Sequence, residues 1–286
     1  MFTRKLWGLF RLFRFELSFA AGVSVILGEL LALGQLPSAK EILLGFFSVF
    51  FISAAALIIN DYFDLESDKI NAPDRSLPAG LVTEQEVIVL FVIVTLLGFV
   101  AAYLISLTAL LVAVVVWAVG FLYNWRFKKT GLPGNLMVSF SVGMTFIFGG
   151  ITVGQPFARM VWFFAIVAFL IDLGEEIAAD ALDIAGDRQL GSRSLAIVWG
   201  RENALKISGA IFMLLVVLSS VPFLLGWLDW VYFLPLLFMD VVILYSTAKL
   251  LNAETAVPLK YIRWIYLSGL AAMIIFIVIR LFRGNI

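Results

Sequence analysis

Long apolar stretches, separated by short polar segments, follow one another along almost the whole chain. An α-helix needs about 20 apolar residues to cross the hydrocarbon core of a bilayer, and residues 87–125 carry no charged side chain. That stretch is long enough for two helices joined near Ser106–Thr108. Comparable stretches lie at residues 15–36, 40–60, 133–154, 159–178, 207–226, 230–249 and 262–282. The pattern predicts nine membrane-spanning helices.

Composition narrows the chemistry that these spans can carry. Of the 286 residues, 63% are apolar and 14% are charged, whereas roughly 25% are charged in a typical soluble domain. We therefore expect an integral membrane protein. Twenty Lys and Arg balance twenty Asp and Glu, so no nucleic acid partner is expected. The absence of Cys and His excludes thiolate nucleophiles, a histidine base and metal sites built from these residues.

The distribution of positive charge predicts the orientation in the membrane. Residues 1–15 alternate basic and aromatic residues, which is typical of an interfacial helix, and the apolar run that follows is interpreted as a retained first span. With nine spans, sixteen of the twenty Lys and Arg lie on the same side as the N-terminus. The positive-inside rule then places the N-terminus on the cytoplasmic side of the cell membrane.

Negative charge is concentrated in two segments that resemble each other. Thirteen of the twenty acids lie in residues 61–86 and 172–187, both on the predicted cytoplasmic side. Each segment contains the pattern D-x2-D-x3-D and is followed by Arg-Ser-Leu. Four spans separate the copies, which predicts two duplicated four-helix units at about 14–125 and 133–249, with a ninth helix at about 262–282 and cytoplasmic segments at about 61–85 and 180–200.

Helical spacing gives these acids a common chemistry. At about 100° per residue, the first, fourth and eighth residues of each motif share one helix face, and Asn60 extends the first of these faces. Two such helix ends would repel each other, and Mg²⁺ binds carboxylate together with phosphate oxygens. The pattern therefore predicts a diphosphate held by a pair of Mg²⁺ ions between the motifs, with Arg75 and Arg193 available to bind phosphate. The other interpretation, solvated acidic loops, does not account for the repeated spacing.

These motifs together resemble the UbiA superfamily of intramembrane prenyltransferases. The resemblance covers Asn60–Asp68 with its continuation to Gly80, Tyr123–Asn135, and Glu176–Leu195. It implies an all-α fold with nine transmembrane helices around a central cavity, as two four-helix halves plus one helix. The implied metal ligands are Asn60, Asp64, Asp68, Asp180, Asp183 and Asp187. The implied diphosphate-binding residues are Asn60, Asp61, Arg75, Tyr123, Lys128, Asp180 and Arg193.

The resemblance also implies the reaction, which is the Mg²⁺-dependent transfer of a prenyl group from a prenyl diphosphate to a lipophilic acceptor. Asp64, Asp68, Asp183, Asp187 and Lys128 are the implied catalytic residues. For Lys128, a topology-setting cation is the other interpretation.

Two acceptor classes remain open. Residues 123–135 and 174–187 resemble the subgroup that alkylates geranylgeranylglyceryl phosphate with a geranylgeranyl group in ether-lipid synthesis. Ala179, where that subgroup often has a basic residue, departs from it. The alternative is an aromatic acceptor of quinone synthesis, such as hydroxybenzoate or dihydroxynaphthoate.

The positions of the acids distinguish this prediction from other classes of protein. A divalent-cation or lipid transporter would place charge at mid-bilayer, whereas most acids here lie at one surface. The D-x2-D-G pattern of CDP-alcohol phosphotransferases is absent, because Leu65 and Ile184 follow the second Asp of each motif. Glu29, Glu176 and Asp240 lie within predicted spans and are either functional or paired with a neighbouring helix. The proton-accepting base, the donor length and the oligomeric state stay open.

Overall fold

The fold was analysed in a computed structural model that describes residues 2–182, 184, 188, 191–252 and 259–283. Every regular element in these ranges is helical. The α-helices are α1 Phe2–Leu12, α2 Phe15–Leu33, α3 Ala39–Phe63, α4 Leu65–Asn71, α5 Glu84–Ile105, α6 Leu107–Leu122, α7 Leu132–Thr152, α8 Arg159–Leu182, α9 Leu195–Trp199, α10 Arg201–Ser219, α11 Val221–Leu224, α12 Phe233–Leu251 and α13 Lys260–Arg283. A π-helical turn at Tyr123–Phe127 and 3₁₀ turns at Lys128–Thr130 and Trp230–Tyr232 complete the set.

The prediction of an all-α, multi-pass membrane protein is confirmed, but the number of spans is not. Eight helices in the described ranges are long and apolar enough to cross a membrane. The predicted span at 159–178 corresponds to α8, which has 24 residues and is not one of the eight. The reason is chemical, because the second half of α8 carries Asp172, Glu175, Glu176 and Asp180. The predicted count of nine is therefore not confirmed.

Capping residues set several helix boundaries. Ser38 with Glu41, and Thr83 with Glu86, form capping boxes at the starts of α3 and α5, so their first backbone N–H groups are satisfied. The break predicted near Ser106 is confirmed. Ser106 ends α5, and its hydroxyl oxygen accepts a hydrogen bond from the Ala109 N–H at the start of α6.

Glycines bring α2 and α7 into backbone contact. A Cβ atom on Gly28 would collide with the Phe146 carbonyl oxygen, and one on Gly149 would collide with the Val25 carbonyl oxygen. Small residues allow membrane helices to approach this closely. Elsewhere α3 packs on α5, α7 on α8, and α8 on α10. A central cavity is lined by residues of α2, α3, α6, α7, α8, α12 and α13.

The spacing of the first acidic motif predicts one continuous helix, but in the structure the motif is divided between two helices. Helix α3 ends at Phe63, Asp64 adopts φ −90° and ψ 1°, and α4 begins at Leu65. Helical hydrogen bonds continue across Asp64. The Asp64 N–H donates to the Asn60 carbonyl oxygen at 2.9 Å, and the Asp68 N–H donates to the Asp64 carbonyl oxygen at 2.8 Å. The acids therefore stay together although the helix axis is broken.

Only part of the second acidic motif can be described. Asp180 lies in the last turn of α8, which ends at Leu182. Asp183 and Asp187 lie outside the described residues. The proposed duplication into two four-helix units, and the boundaries given to them, stay predictions.

Candidate active site

A cavity of about 630 Å³ occupies the centre of the helix bundle, within the size range of small-molecule sites. Most of its wall is apolar and includes Val49, Ile52, Phe146, Phe164 and Met239. Polar residues also line it, among them Arg14, Asn60, Tyr123, Asn124, Lys128, Asp172, Glu175, Glu176 and Tyr266. The cavity can therefore enclose an apolar chain and offer charged groups to its polar end.

Arg14 binds the start of the first motif. Its Nη2 atom donates a hydrogen bond to Asn60 Oδ1 at 3.2 Å and forms an ion pair with Asp61. Asp61 is only 4% exposed, so its charge needs a partner of this kind. Arg14 is the only described non-glycine residue with a positive φ, at 40°, and it stands between α1 and α2. The bend between these helices thus directs its side chain toward the motif.

Arg75 binds the end of the same motif. Its Nη1 atom lies 2.6 Å from Asp68 Oδ2 and 3.8 Å from Asp61 Oδ1. The segment that follows α4 is anchored by the buried side chains of Leu77 and Val82, which pack with residues of α1, α3 and α5. Arg75 therefore lies beside two acids of the motif, where a phosphate-binding cation is expected.

Lys128 reaches the centre of the motif from the end of α6. It forms an ion pair with Asp64 and lines the cavity, whereas the neighbouring Arg126 and Lys129 are exposed. The π-helical turn before it fits against α7 at Gly134, where a Cβ would lie 2.6 Å from the Phe127 carbonyl oxygen. Such turns are frequent at functional sites.

Asn124 links the motif to the π-helical turn. Asn60 Nδ2 donates to Asn124 Oδ1 at 2.7 Å, while Asn124 Nδ2 donates to the carbonyl oxygens of Ala56 and Gly120 at 3.1 and 2.9 Å. This network orients the Asn60 amide so that its oxygen faces Arg14. The orientation leaves Asn60 as an oxygen ligand for a positive group.

The acids of α8 have neutral hydrogen-bond partners from α7. Ser139 Oγ donates to Asp172 Oδ2 at 2.8 Å, and Asn135 Nδ2 donates to Asp180 Oδ2 at 3.0 Å. Glu176 lies within electrostatic range of Lys128 and Asp180.

Tyr123 lies where the two acidic segments converge. Its phenol interacts electrostatically with Asp64 of the first motif and with Asp172, Glu176 and Asp180 of α8. The described part of the second motif and the first motif are thus at the same end of the cavity.

The segment after the second motif also packs near Lys128. The Arg193 N–H donates to the Lys129 carbonyl oxygen at 3.0 Å. Gly131 has φ +72°, and a Cβ there would collide with the Arg193 backbone, so glycine permits the contact. The Arg193 side chain is exposed, and the structure records no phosphate-binding arrangement for it among the described residues.

The donor set fits a hard divalent cation. Asn60, Asp64, Asp68 and Asp180 offer amide and carboxylate oxygens, which suit Mg²⁺ when phosphate and water complete the shell. Among the described residues, no three acids are close enough to hold a metal by themselves.

Several contacting residues were not predicted as site residues. Arg14, Asn135 and Ser139 hold three of the acids, and Asn124 orients Asn60. In the sequence, Arg14 looks like one of the many cations that lie on the same predicted side as the N-terminus. A polar residue such as Ser139 inside an apolar span is the one available signal.

The fold and the site together define an intramembrane enzyme for substrates that join an apolar chain to an anionic head. The chain belongs to the UbiA prenyltransferase family, which it matches over residues 21–268. A digeranylgeranylglyceryl phosphate synthase from Thermococcus kodakarensis is 35% identical over 82% of this chain and 83% of its own length.

Two solved structures are similar over nearly the whole chain. A structure of digeranylgeranylglyceryl phosphate synthase is 30% identical, with a TM-score of 0.77, and the match covers 96% of this chain and 98% of that one. A UbiA homologue from Archaeoglobus fulgidus bound to GPP and Mg²⁺ is 20% identical, with a TM-score of 0.68 and coverage of 96% and 99%. The latter likeness supports the fold.

Proposed function

We propose that this prenyltransferase transfers a geranylgeranyl group from its diphosphate to geranylgeranylglyceryl phosphate, inside the membrane, in ether-lipid synthesis. The main observation that supports this proposal is that Asp64, Lys128 and the acids of α8 converge around Tyr123 at a mainly apolar cavity. An anionic diphosphate would lie at this polar end, and its prenyl chain would extend along the apolar wall.

Mg²⁺ is the cofactor that the donor set favours, and the A. fulgidus homologue binds it together with GPP. We propose that Asn60, Asp64, Asp68, Asp180, Asp183 and Asp187 hold two ions. Bound there, they supply positive charge to the departing diphosphate.

The cations of the site have a second role in this proposal. Arg75 and Lys128 now pair with Asp68 and Asp64, and both cations are about one-third exposed, so their ion pairs are weak enough to rearrange. If the acids held metal ions, these cations would be free to bind the phosphate oxygens. They would then stabilise the negative charge that develops as the C1–O bond breaks.

Exclusion of water is the contribution of the cavity wall. The allylic C1 becomes carbocation-like as diphosphate leaves, and water would convert it to a free prenyl alcohol. The apolar residues around the cavity, such as Ile52, Phe146 and Phe164, keep that competitor out.

The orientation is also part of the proposal. The site lies at the end of the bundle where α1, the π-helical turn and the segment after α8 meet, which is the side enriched in Lys and Arg. By the positive-inside rule, the N-terminus and the site face the cytoplasm.

The experiment that tests the function is a product analysis. Purified protein with Mg²⁺ is given prenyl diphosphates of several lengths and three acceptors: geranylgeranylglyceryl phosphate, hydroxybenzoate and dihydroxynaphthoate. We expect the ether product, identified by mass, with release of one diphosphate per turnover and no product after chelation of Mg²⁺.

The other outcomes separate the alternatives. Prenylation of either aromatic acid in place of the glyceryl phosphate would move the protein to quinone synthesis. Cation or lipid flux in liposomes without donor, together with no prenylated product, would favour a transporter.

A further inference from the structure

Two buried polar atoms at the cavity have no hydrogen-bond partner in the part of the chain that the structure describes. They are Oε1 of Glu175 on α8 and the hydroxyl of Tyr266 on α13. Both residues line the central cavity, and the charged groups that act electrostatically on Tyr266 are Glu16, Glu175 and Arg263. An unpaired buried acceptor and an unpaired buried hydroxyl at one cavity indicate a place for a polar group of a ligand.

Glu175 differs from its neighbour Glu176 in what it faces. Successive residues on a helix point about 100° apart. Both glutamates are near Asp172, but Glu176 also lies within range of Lys128 and Asp180, at the diphosphate end, whereas Glu175 also acts on Tyr266 of α13. Glu175 is therefore directed toward a different substrate group from the one that the acidic motifs bind.

The other acids along this stretch are already engaged. Asp172 accepts a hydrogen bond from Ser139 at 2.8 Å, and Glu176 is near Lys128. The chain contains no His and no Cys, so a carboxylate is the ordinary side chain left to accept a proton at neutral pH. Among the described cavity acids, Glu175 is the one with a shielded oxygen lacking a hydrogen bond.

We propose that Glu175 is the catalytic base that takes the proton from the acceptor hydroxyl, and that Tyr266 hydrogen-bonds that hydroxyl and positions it. The assignment rests on the proposed function. The acceptor oxygen forms a bond to C1 of the prenyl chain, while the C1–O bond breaks and its electron pair leaves with diphosphate. The hydroxyl proton moves to Glu175 Oε1 and is released to water with the products.

The first test compares Glu175→Gln with a matched control. Glu29 is also a buried glutamate whose carboxylate oxygens lack partners among the described residues, but it does not line the cavity. We expect Glu175→Gln to lower ether formation at least 100-fold, since general bases contribute about 10²–10⁴-fold, with donor affinity unchanged. Glu29→Gln should stay within twofold of wild type.

A thiol acceptor separates a base from a structural residue. A glyceryl phosphate analogue with a thiol in place of the hydroxyl is largely ionised at pH 9–10 and needs no base. The Glu175→Gln loss should therefore shrink to less than tenfold with the thiol. Tyr266→Phe should raise the acceptor KM more than it lowers kcat, because its role is positioning.

Each result decides the assignment. Ether formation by Glu175→Gln within threefold of wild type would overturn the assignment, and is the result expected if the leaving diphosphate takes the proton. An equal loss of activity with the thiol and the hydroxyl acceptors would also overturn it. If Glu175→Gln loses donor binding, Glu175→Asp replaces it, and the ratio of the rate with the thiol acceptor to the rate with the hydroxyl acceptor is measured. A ratio equal to that of wild type overturns the assignment, and a higher ratio supports it. Failure of the proposed function is distinct, because wild-type protein would then form no ether.

Discussion

The acids of residues 61–68 face cations, whereas the recorded hydrogen bonds to the acids of α8 come from hydroxyl and amide groups. Asp61, Asp64 and Asp68 each lie within 4 Å of an Arg or Lys. Asp172 and Asp180 accept hydrogen bonds from Ser139 and Asn135. Two segments with the same Asp spacing are thus stabilised in different ways.

This difference suggests a division of labour at the site. The first segment is close to neutral and carries the cations that a diphosphate requires. On α8, Asp172 accepts its hydrogen bond from a neutral hydroxyl in a poorly hydrated place, where charge is costly, and an added cation would relieve that cost. Substitutions at five positions test this comparison.

Asp64→Ala should have the largest effect, because it removes a proposed metal ligand and the partner of Lys128. We expect turnover to fall on the order of 10³-fold or more, with little loss of folded protein. Asp183→Ala should do the same. Product formation is the measurement. Glu66→Gln is the control, since Glu66 lies on α4 between Asp64 and Asp68 and its side chain is 84% exposed. Near-normal activity of both alanine variants would contradict the metal–diphosphate site.

Lys128→Ala should lower kcat about 100-fold, because it removes a cation proposed to stabilise developing phosphate charge. Lys129→Ala is the matched control, since its side chain is the next along the chain and is exposed, and it should change kcat less than threefold. Equal effects of the two variants would show that Lys128 acts through membrane topology.

Arg14→Ala should cost about 1–2 kcal/mol of stability, because it leaves Asp61 buried without its closest cation. The loss should be smaller than for a fully buried pair, since the Arg14 side chain is 27% exposed. Thermal unfolding in detergent measures this loss. Adding Asp61→Asn should recover most of it. If the double variant is no more stable than Arg14→Ala alone, charge compensation at Asp61 is not what Arg14 supplies.

Asn124→Ala should have the smallest effect, a rise of about threefold to tenfold in the donor KM. Loss of the amide frees Asn60 to rotate and removes one side-chain hydrogen bond from each of two helix carbonyl oxygens, at about 1 kcal/mol per bond. Initial rates against donor concentration measure the change. An unchanged KM would mean that the orientation of Asn60 does not matter for donor binding.

The sequence predicts most spans and the break at Ser106 because these depend on local composition. An uncharged stretch must lie in hydrocarbon, and a hydroxyl residue in its middle can cap a new helix. The same reasoning fails at Asp64, where helical spacing predicts one continuous face. Tertiary contacts to Lys128 and Arg75 accompany a break that no local rule predicts.

The site could be predicted only as far as its residues repeat or resemble a motif. The convergence of Asp64 and Asp180 near Tyr123 agrees with the prediction from matched spacing. Arg14 could not be identified, because its role depends on a positive φ and on the packing of α1, and its sequence context matches a topology signal. The Glu175–Tyr266 relationship joins residues of α8 and α13 that no sequence spacing connects.

The glycine contacts between α2 and α7 have a mechanical consequence. Backbones that touch at Gly28 and Gly149 leave no side-chain layer that could compress or rotate, so this seam of the bundle is stiff. Any helix movement that admits a bulky lipid must therefore occur at another helix–helix interface. Cross-linking α2 to α7 should leave turnover intact.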